Sequence, residues 1–150
     1  MENFNMIEKP DISDNKSDIF KQYFSTGELM WEWDYNDDMS EGILKVYYKN
    51  GELAKEVIVS YNDENVNAVE KIYSTKGNLI KEIKFENNLP NGLLREYYPN
   101  GMIKVEESFK DGKRHGTSRT YNQKGKLLVE DEYYDDHLLK RDVFGYGRVS

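Results

Sequence analysis

The chain has 150 residues, with 28 Asp or Glu against 21 Lys or Arg, for a net charge of −7. It has no Cys, which excludes a disulfide scaffold, a thiol nucleophile and any cysteine-ligated zinc or iron–sulfur centre. Its 37% hydrophobic and 33% charged content borders on that of a disordered chain, but 12 Tyr, 6 Phe and 2 Trp favour pleated, half-buried surfaces.

Residues 1–75 hold 16 acids and 7 bases (7 − 16 = −9), while residues 76–150 hold 12 acids and 14 bases (14 − 12 = +2). An acidic whole disfavours nucleic acid, whose binding depends on phosphate neutralisation by Lys and Arg. No apolar stretch approaches the roughly 20 residues of a membrane span. The opening Met1–Met6 has neither the basic nor the apolar segment of a secretion signal, so a cytoplasmic location is expected.

Residues 1–18 lie outside any period and are expected to form an N-terminal cap or a disordered tail. From residue 19 to 140 the chain repeats five times. Gly27, Gly51, Gly77, Gly101 and Gly125 are spaced by 24, 26, 24 and 24 residues. Four positions before each glycine stands Tyr23, Tyr47, Tyr73, Tyr97 or Tyr121, and two positions after it Leu29, Leu53, Leu79, Ile103 or Leu127. A base lies six before (Lys21, Lys45, Lys71, Arg95, Arg119) and a glutamate five after (Glu32, Glu56, Glu82, Glu106, Glu130). An aromatic recurs eight after, as Tyr35, Phe85, Phe109 and Tyr133; in the second unit Val59 or Tyr61 takes its place, beside a two-residue insertion.

Each unit reads as two short strands and two turns. Asn50-Gly51 and Asn100-Gly101 are hairpin signals between runs of strand formers. Two registers compete. A two-residue turn sets the basic column opposite the glutamates. A type I turn with a glycine bulge sets the tyrosines opposite the Leu/Ile column, and Pro99 favours it, because its fixed φ suits the first central position of such a turn. On the second register one face gathers Ile19, Ile43, Val69 and Leu93 with the Tyr, Leu/Ile and aromatic columns, and that face is the expected core. The second turn of each unit falls at Asn36-Asp37-Asp38, Asn62-Asp63-Glu64, Asn87-Asn88, Asp111-Gly112 and Asp135-Asp136, where Asx residues tolerate left-handed backbone. Gly42, Gly92 and Gly116 close three units; Ala68 and Lys140 replace that glycine in the others, which predicts looser bends there. The expected fold is all-β, an elongated antiparallel β-hairpin repeat array of about ten strands. Residues 141–150 are left as a C-terminal tail or cap, and the open sheet edges offer a route to oligomers.

Chemistry-bearing residues are few. His115 and His137 fall in turns, with no partners that the sequence places beside them. The paired acids of the turns match no calcium-loop spacing, and turn chemistry accounts for them, so no metal or cofactor is expected. The glutamate column puts one acid per hairpin, about 10 Å apart; either cross-strand Lys and Arg neutralise it or a cationic partner meets it. The basic and tyrosine columns interleave in a way that suits stacked single-stranded nucleic acid or anionic lipid headgroups, or tyrosines packed inward with the basic stems at the sheet margin, and the net charge of −7 favours the last. Trp31 and Trp33 have no later counterparts and are candidates for a cap or an interface anchor. The glutamate column and these two tryptophans make up the candidate interaction surface.

The stretch Gly92 to Gly116, with its tyrosine pair, Asn100-Gly101, aromatic strand and closing glycine after Lys-Asp-Gly-Lys-Arg-His, resembles the MORN-repeat variant. The likeness runs from Phe20 to about Leu139; Ser74, Asn122 and the two-residue insertion depart from it. The resemblance implies a non-enzymatic hairpin array used for protein–protein interaction. Bacterial members of the variant are grouped as YwqK-type antitoxins of toxin–antitoxin pairs, which would make the partner a toxin. A membrane- or phospholipid-associated scaffold is the alternative. MORN repeats also accompany plant phosphatidylinositol phosphate kinases, but this chain has neither nucleotide-binding glycine loop, nor a His-Arg-Asp or Asp-Phe-Gly triplet, so no lipid-kinase activity is expected.

Overall fold

In a computed structural model, residues 20–36, 40–62 and 64–145 can be described. They form eleven strands: β1 (Phe20–Tyr23), β2 (Leu29–Tyr35), β3 (Glu41–Tyr47), β4 (Leu53–Tyr61), β5 (Val66–Tyr73), β6 (Leu79–Glu86), β7 (Leu89–Tyr97), β8 (Ile103–Lys110), β9 (Lys113–Tyr121), β10 (Leu127–Tyr134) and β11 (His137–Val143). All pair antiparallel, in sequence order, in one sheet. The five units supply ten strands, and β11 adds an eleventh that runs into the segment expected as a tail. The expected cap or tail at residues 1–18 lies outside the described residues, as do Ile19, Asp37, Asp38 and Asp63.

Local chemistry sets each hairpin. At the glycine turns the N–H of Gly51 donates to Tyr48 O and that of Tyr48 to Glu52 O, both at 2.9 Å, and Gly51 has φ +85°. Tyr98, Pro99, Asn100 and Gly101 repeat the pattern. This is the type I turn with a glycine bulge. The turns at the other end use left-handed Asx residues: Asn87 and Asn88, Asp111 before Gly112, and Asp135 and Asp136 all have positive φ.

The two registers are both present. Tyr47 faces Leu53, as the bulged turn requires, and Lys45 faces Glu56 as well. A one-residue bulge between the pairs reconciles them. Val46 faces Lys55, so Ala54 is the extra residue, and Met30, Ile80, Lys104 and Leu128 hold the same place in the other units.

This bulge corrects the expected core. One inserted residue turns everything beyond it to the opposite face. The tyrosines, the Leu/Ile column and Ile43, Val69 and Leu93 therefore share one face (the tyrosine face), and the aromatic column lies on the other. Ile43 is 37% exposed, whereas its neighbour Leu44 is buried. The core sits on that second face, in Leu44, Val57, Val59 and Ala68, with Trp31, Trp33, Val46, Tyr61, Val66 and Phe85 packed against them.

Large and small residues alternate across this face. Successive pairing gives the order Tyr35, Gly42, Val59, Ala68, Phe85. A Cβ on Gly42 would come within 2.8 Å of Trp33 Nε1 and 2.9 Å of Tyr35, so that glycine makes room for the stacked Trp33 and Tyr35 rings. Ala68 does not loosen its bend: β4 and β5 pair over seven steps with no shift, and the inserted residues lengthen the loop, closed by Asn62 accepting from the Asn65 N–H.

The next row on the core face runs Phe20, Trp33, Leu44, Val57, Glu70, Ile83, Leu94, Glu107, Ser118, Asp131, Arg141. It is apolar as far as Leu94, except for Glu70, and polar from there on. The core is therefore confined to the first two-thirds of the sheet. The last third is held by polar contacts such as the bidentate pair of Arg141 with Asp131, at 2.7 and 2.8 Å. This pair holds the Asp131 carboxyl below its usual range.

Candidate interaction surface

The tyrosine face is organised by one row of charges. Strand by strand it reads Lys21, Glu32, Lys45, Glu56, Lys71, Glu82, Arg95, Glu106, Arg119, Glu130, Asp142. Each glutamate from Glu32 to Glu106 has a base on both neighbouring strands. Several pairs close: Arg95 Nε to Glu106 at 2.8 Å, Arg119 Nε to Glu130 at 2.7 Å, Arg119 Nη1 to Glu106 at 3.9 Å and Lys21 to Glu32 at 3.6 Å. The glutamate column is thus one half of an alternating row. Only at the last step does like meet like, where Glu130 faces Asp142.

Beside this row runs the stripe of Tyr and Leu/Ile. Tyr47, Tyr73, Tyr97 and Tyr121 are half-buried, while Tyr23 on the edge strand is 55% exposed. Row and stripe are coupled. The Tyr47 hydroxyl donates to Glu32 Oε1 at 2.6 Å, and this bond, ahead of nearby Lys21 and Lys45, holds the Glu32 carboxyl below its usual range. Burial and Glu32 in turn push Tyr47 up to about 12. Burial, then the flanking glutamates, also raise Tyr73 and Tyr97.

The linkage has a definite sign at each end of the pH scale. A depressed Glu32 stabilises the fold above the unfolded carboxylate pKa, and that contribution is lost as pH falls. A raised Tyr47 stabilises below pH 10, the ordinary tyrosine value, and its contribution is lost as pH climbs towards 12. Tyr47→Phe is therefore expected to lower stability at neutral pH by about 1 kcal/mol and to flatten the pH dependence at both ends. Urea unfolding at acid, neutral and alkaline pH checks it; an unchanged pH profile would show that the bond carries nothing.

Two hallmark residues staple neighbouring units. Tyr48 Oη donates to Tyr73 O and Tyr98 Oη to Tyr121 O, both at 2.8 Å, while Asn50 and Asn100 donate to Thr75 O and Gln123 O. Ser74 and Asn122, the departures from the pattern, instead accept from backbone N–H groups of their own turns. The tyrosine pair in the sequence signalled these staples; their alternation between units was not foreseen.

Trp31 and Trp33 do not join the glutamate row. They lie on the core face, Trp31 hydrogen-bonded to Gln22 and Trp33 stacked on Tyr35 with ring centroids 5.5 Å apart. Trp33 Nε1 and the Tyr35 and Tyr61 hydroxyls are shielded from solvent together. Burial raises both tyrosines, with Tyr61 adding to the effect on Tyr35. The sequence-derived surface is therefore split between two faces.

The remaining candidates are dispersed. A shallow groove of about 290 Å³ lies between Ile72, Ile80, Lys81, Glu96, Tyr97 and Lys104, with a single carboxylate in its lining. His115 Nδ1 is 3.1 Å from Asp135 Oδ1 and its ring packs on Tyr134, while His137 meets Asp135 O. Among the described residues no three His, Asp or Glu are grouped to hold a metal ion.

No curated protein matches the chain. The family pattern of the MORN repeat variant matches residues 40–63, 90–111 and 114–136. These stretches coincide with the hairpins β3–β4, β7–β8 and β9–β10. Three of the five hairpin units of this sheet thus match the MORN repeat variant.

Proposed function

We propose that the chain is a non-enzymatic platform that binds another protein along its tyrosine face. The observation that carries this reading is the pairing of stripe and row. The charges of the row alternate and cancel from Lys21 to Glu130, and a line of half-buried Tyr, Leu and Ile runs beside them. Tyrosines of this kind supply rigid, amphipathic contact area at low entropic cost. The same pairing supports a platform without chemistry, because the row sets a Lys or Arg between successive glutamates and brings no two of these glutamates together as an acid–base pair.

The experiment is capture of partners from the native host by the full chain and by Tyr73→Lys. The parent is expected to retain a defined protein that the folded variant loses by more than about tenfold. Turnover of a defined substrate by the purified chain would sink the reading. The antitoxin role implied by the resemblance is the specific form of this function, in which the bound protein is a toxin whose growth inhibition the chain relieves on co-expression. Sedimentation with anionic vesicles is the control: binding at low salt, without a protein partner, would favour the lipid-scaffold alternative.

A further inference from the structure

We infer that two copies of this chain join through β11, pairing antiparallel about Arg141 to make a symmetric dimer with one continuous sheet. β11 is an edge strand of seven residues, and it is exposed in a way the interior strands are not. Leu138, Leu139, Val143 and Phe144 are 46%, 65%, 52% and 42% exposed. The strand is bulged at Leu139 and charged at its centre, Lys140-Arg141-Asp142, with apolar residues on either side; its unpaired outer edge is a template for another strand.

The sequence of the edge selects its own copy. An antiparallel pairing centred on Arg141 sets Lys140 opposite Asp142 and Leu139 opposite Val143, each twice, as a self-complementary interface requires. In the single chain Lys140 meets Asp142 along its own strand, at 2.6 Å, and faces Glu132 across β10, while Asp142 faces the like charge of Glu130. The dimer gives Asp142 a cross-strand cation in place of a like charge alone. The two Arg141 side chains do not confront each other as free cations, because each is held by Asp131.

Backbone groups agree. The Phe144 N–H donates inward to Leu128 O at 2.7 Å. By strand alternation the N–H and C=O groups of Arg141 and Val143 then point to the open edge, where the pairing needs them. The opposite edge, β1, has only four residues. It runs parallel to β11, so joining β1 to β11 would need a parallel pair and would grow without closing.

Sedimentation velocity of the full chain over a micromolar concentration range tests the pairing. The parent is expected to approach twice its monomer mass as concentration rises. Asp142→Lys and Lys140→Asp are each expected to be folded monomers, since each sets like charges together twice across the axis. Mixed in equal amounts, the two variants are expected to form a heterodimer, because every lysine then faces an aspartate. Val143→Pro, which removes an outward N–H without touching charge, is expected to be monomeric as well. A parent that stays monomeric at the highest concentration overturns the inference, as do variants that still dimerise alone or folded variants that fail to associate on mixing.

Discussion

Replacing Glu70 with Leu is expected to leave the fold at least as stable as the parent, whereas replacing Lys55 with Met lowers stability by about 2–3 kcal/mol. Glu70 is 9% exposed and stands between Val57 and Ile83 in the apolar row of the core face. Its compensation is one salt bridge, Lys55 Nζ to Glu70 at 2.6 Å. Deleting the lysine head strands a buried carboxylate. Deleting the carboxylate instead extends an apolar row and frees Lys55, whose side chain is 27% exposed, to turn to solvent. Urea unfolding of the two variants against the parent reads the signs directly. Equal losses in both would mean that the pair itself stabilises the core.

Reversing one charge of the row on the other face is expected to cost a similar amount by a different route. Arg119 lies between Glu106 and Glu130, at 3.9 and 2.7 Å, with its side chain 39% exposed. Each contact is a surface pair worth less than about 1 kcal/mol. Arg119→Glu loses both and sets three carboxylates abreast on adjacent strands, for a total of about 2 kcal/mol. At this chain size that is a fall of about 4–8 °C in Tm. Arg119→Lys keeps the charge and loses only the guanidinium hydrogen bond. Salt separates the two experiments: raising ionic strength should shrink the Arg119→Glu deficit and leave that of Lys55→Met almost unchanged, because screening reaches exposed charges and not buried ones. A deficit insensitive to salt would put the Arg119 effect in packing.

Much of this architecture was legible in the columns. The glycine turns, the tyrosines facing Leu and Ile, the Asx turns and the hairpin count follow from positions whose backbone or burial admits few residue types. The second bulge was not legible, because Met30, Ala54, Ile80, Lys104 and Leu128 share no chemistry; an inserted residue needs only to be extra. Its trace was the apparent conflict between two registers, each supported by five complementary pairs. The choice of core face failed for the same reason, made worse by the adjacent apolar residues Ile43-Leu44 and Leu93-Leu94, which mark no side of a strand. For the candidate surface, the glutamates were visible as a column and their cross-strand neutralisation as an option. The division of surface between faces depended on the bulge, and so Trp31 and Trp33 could not be assigned a side.

The alternating row also acts as a parity code. In an array of nearly identical hairpins, the characteristic folding error is to skip a strand and pair with the next but one. Strands β1 to β9 of odd number carry a base at the row position and those of even number an acid. Any skip of one strand therefore brings base to base or acid to acid, and only neighbours of opposite parity attract. At β11 the code is broken: an odd strand presents Asp142. A further strand of the kind the repeat would supply, with a glutamate at its centre, is repelled there, whereas a strand that brings a lysine to Asp142, as a second copy of β11 does, is attracted, so the break in the code selects which strand can follow.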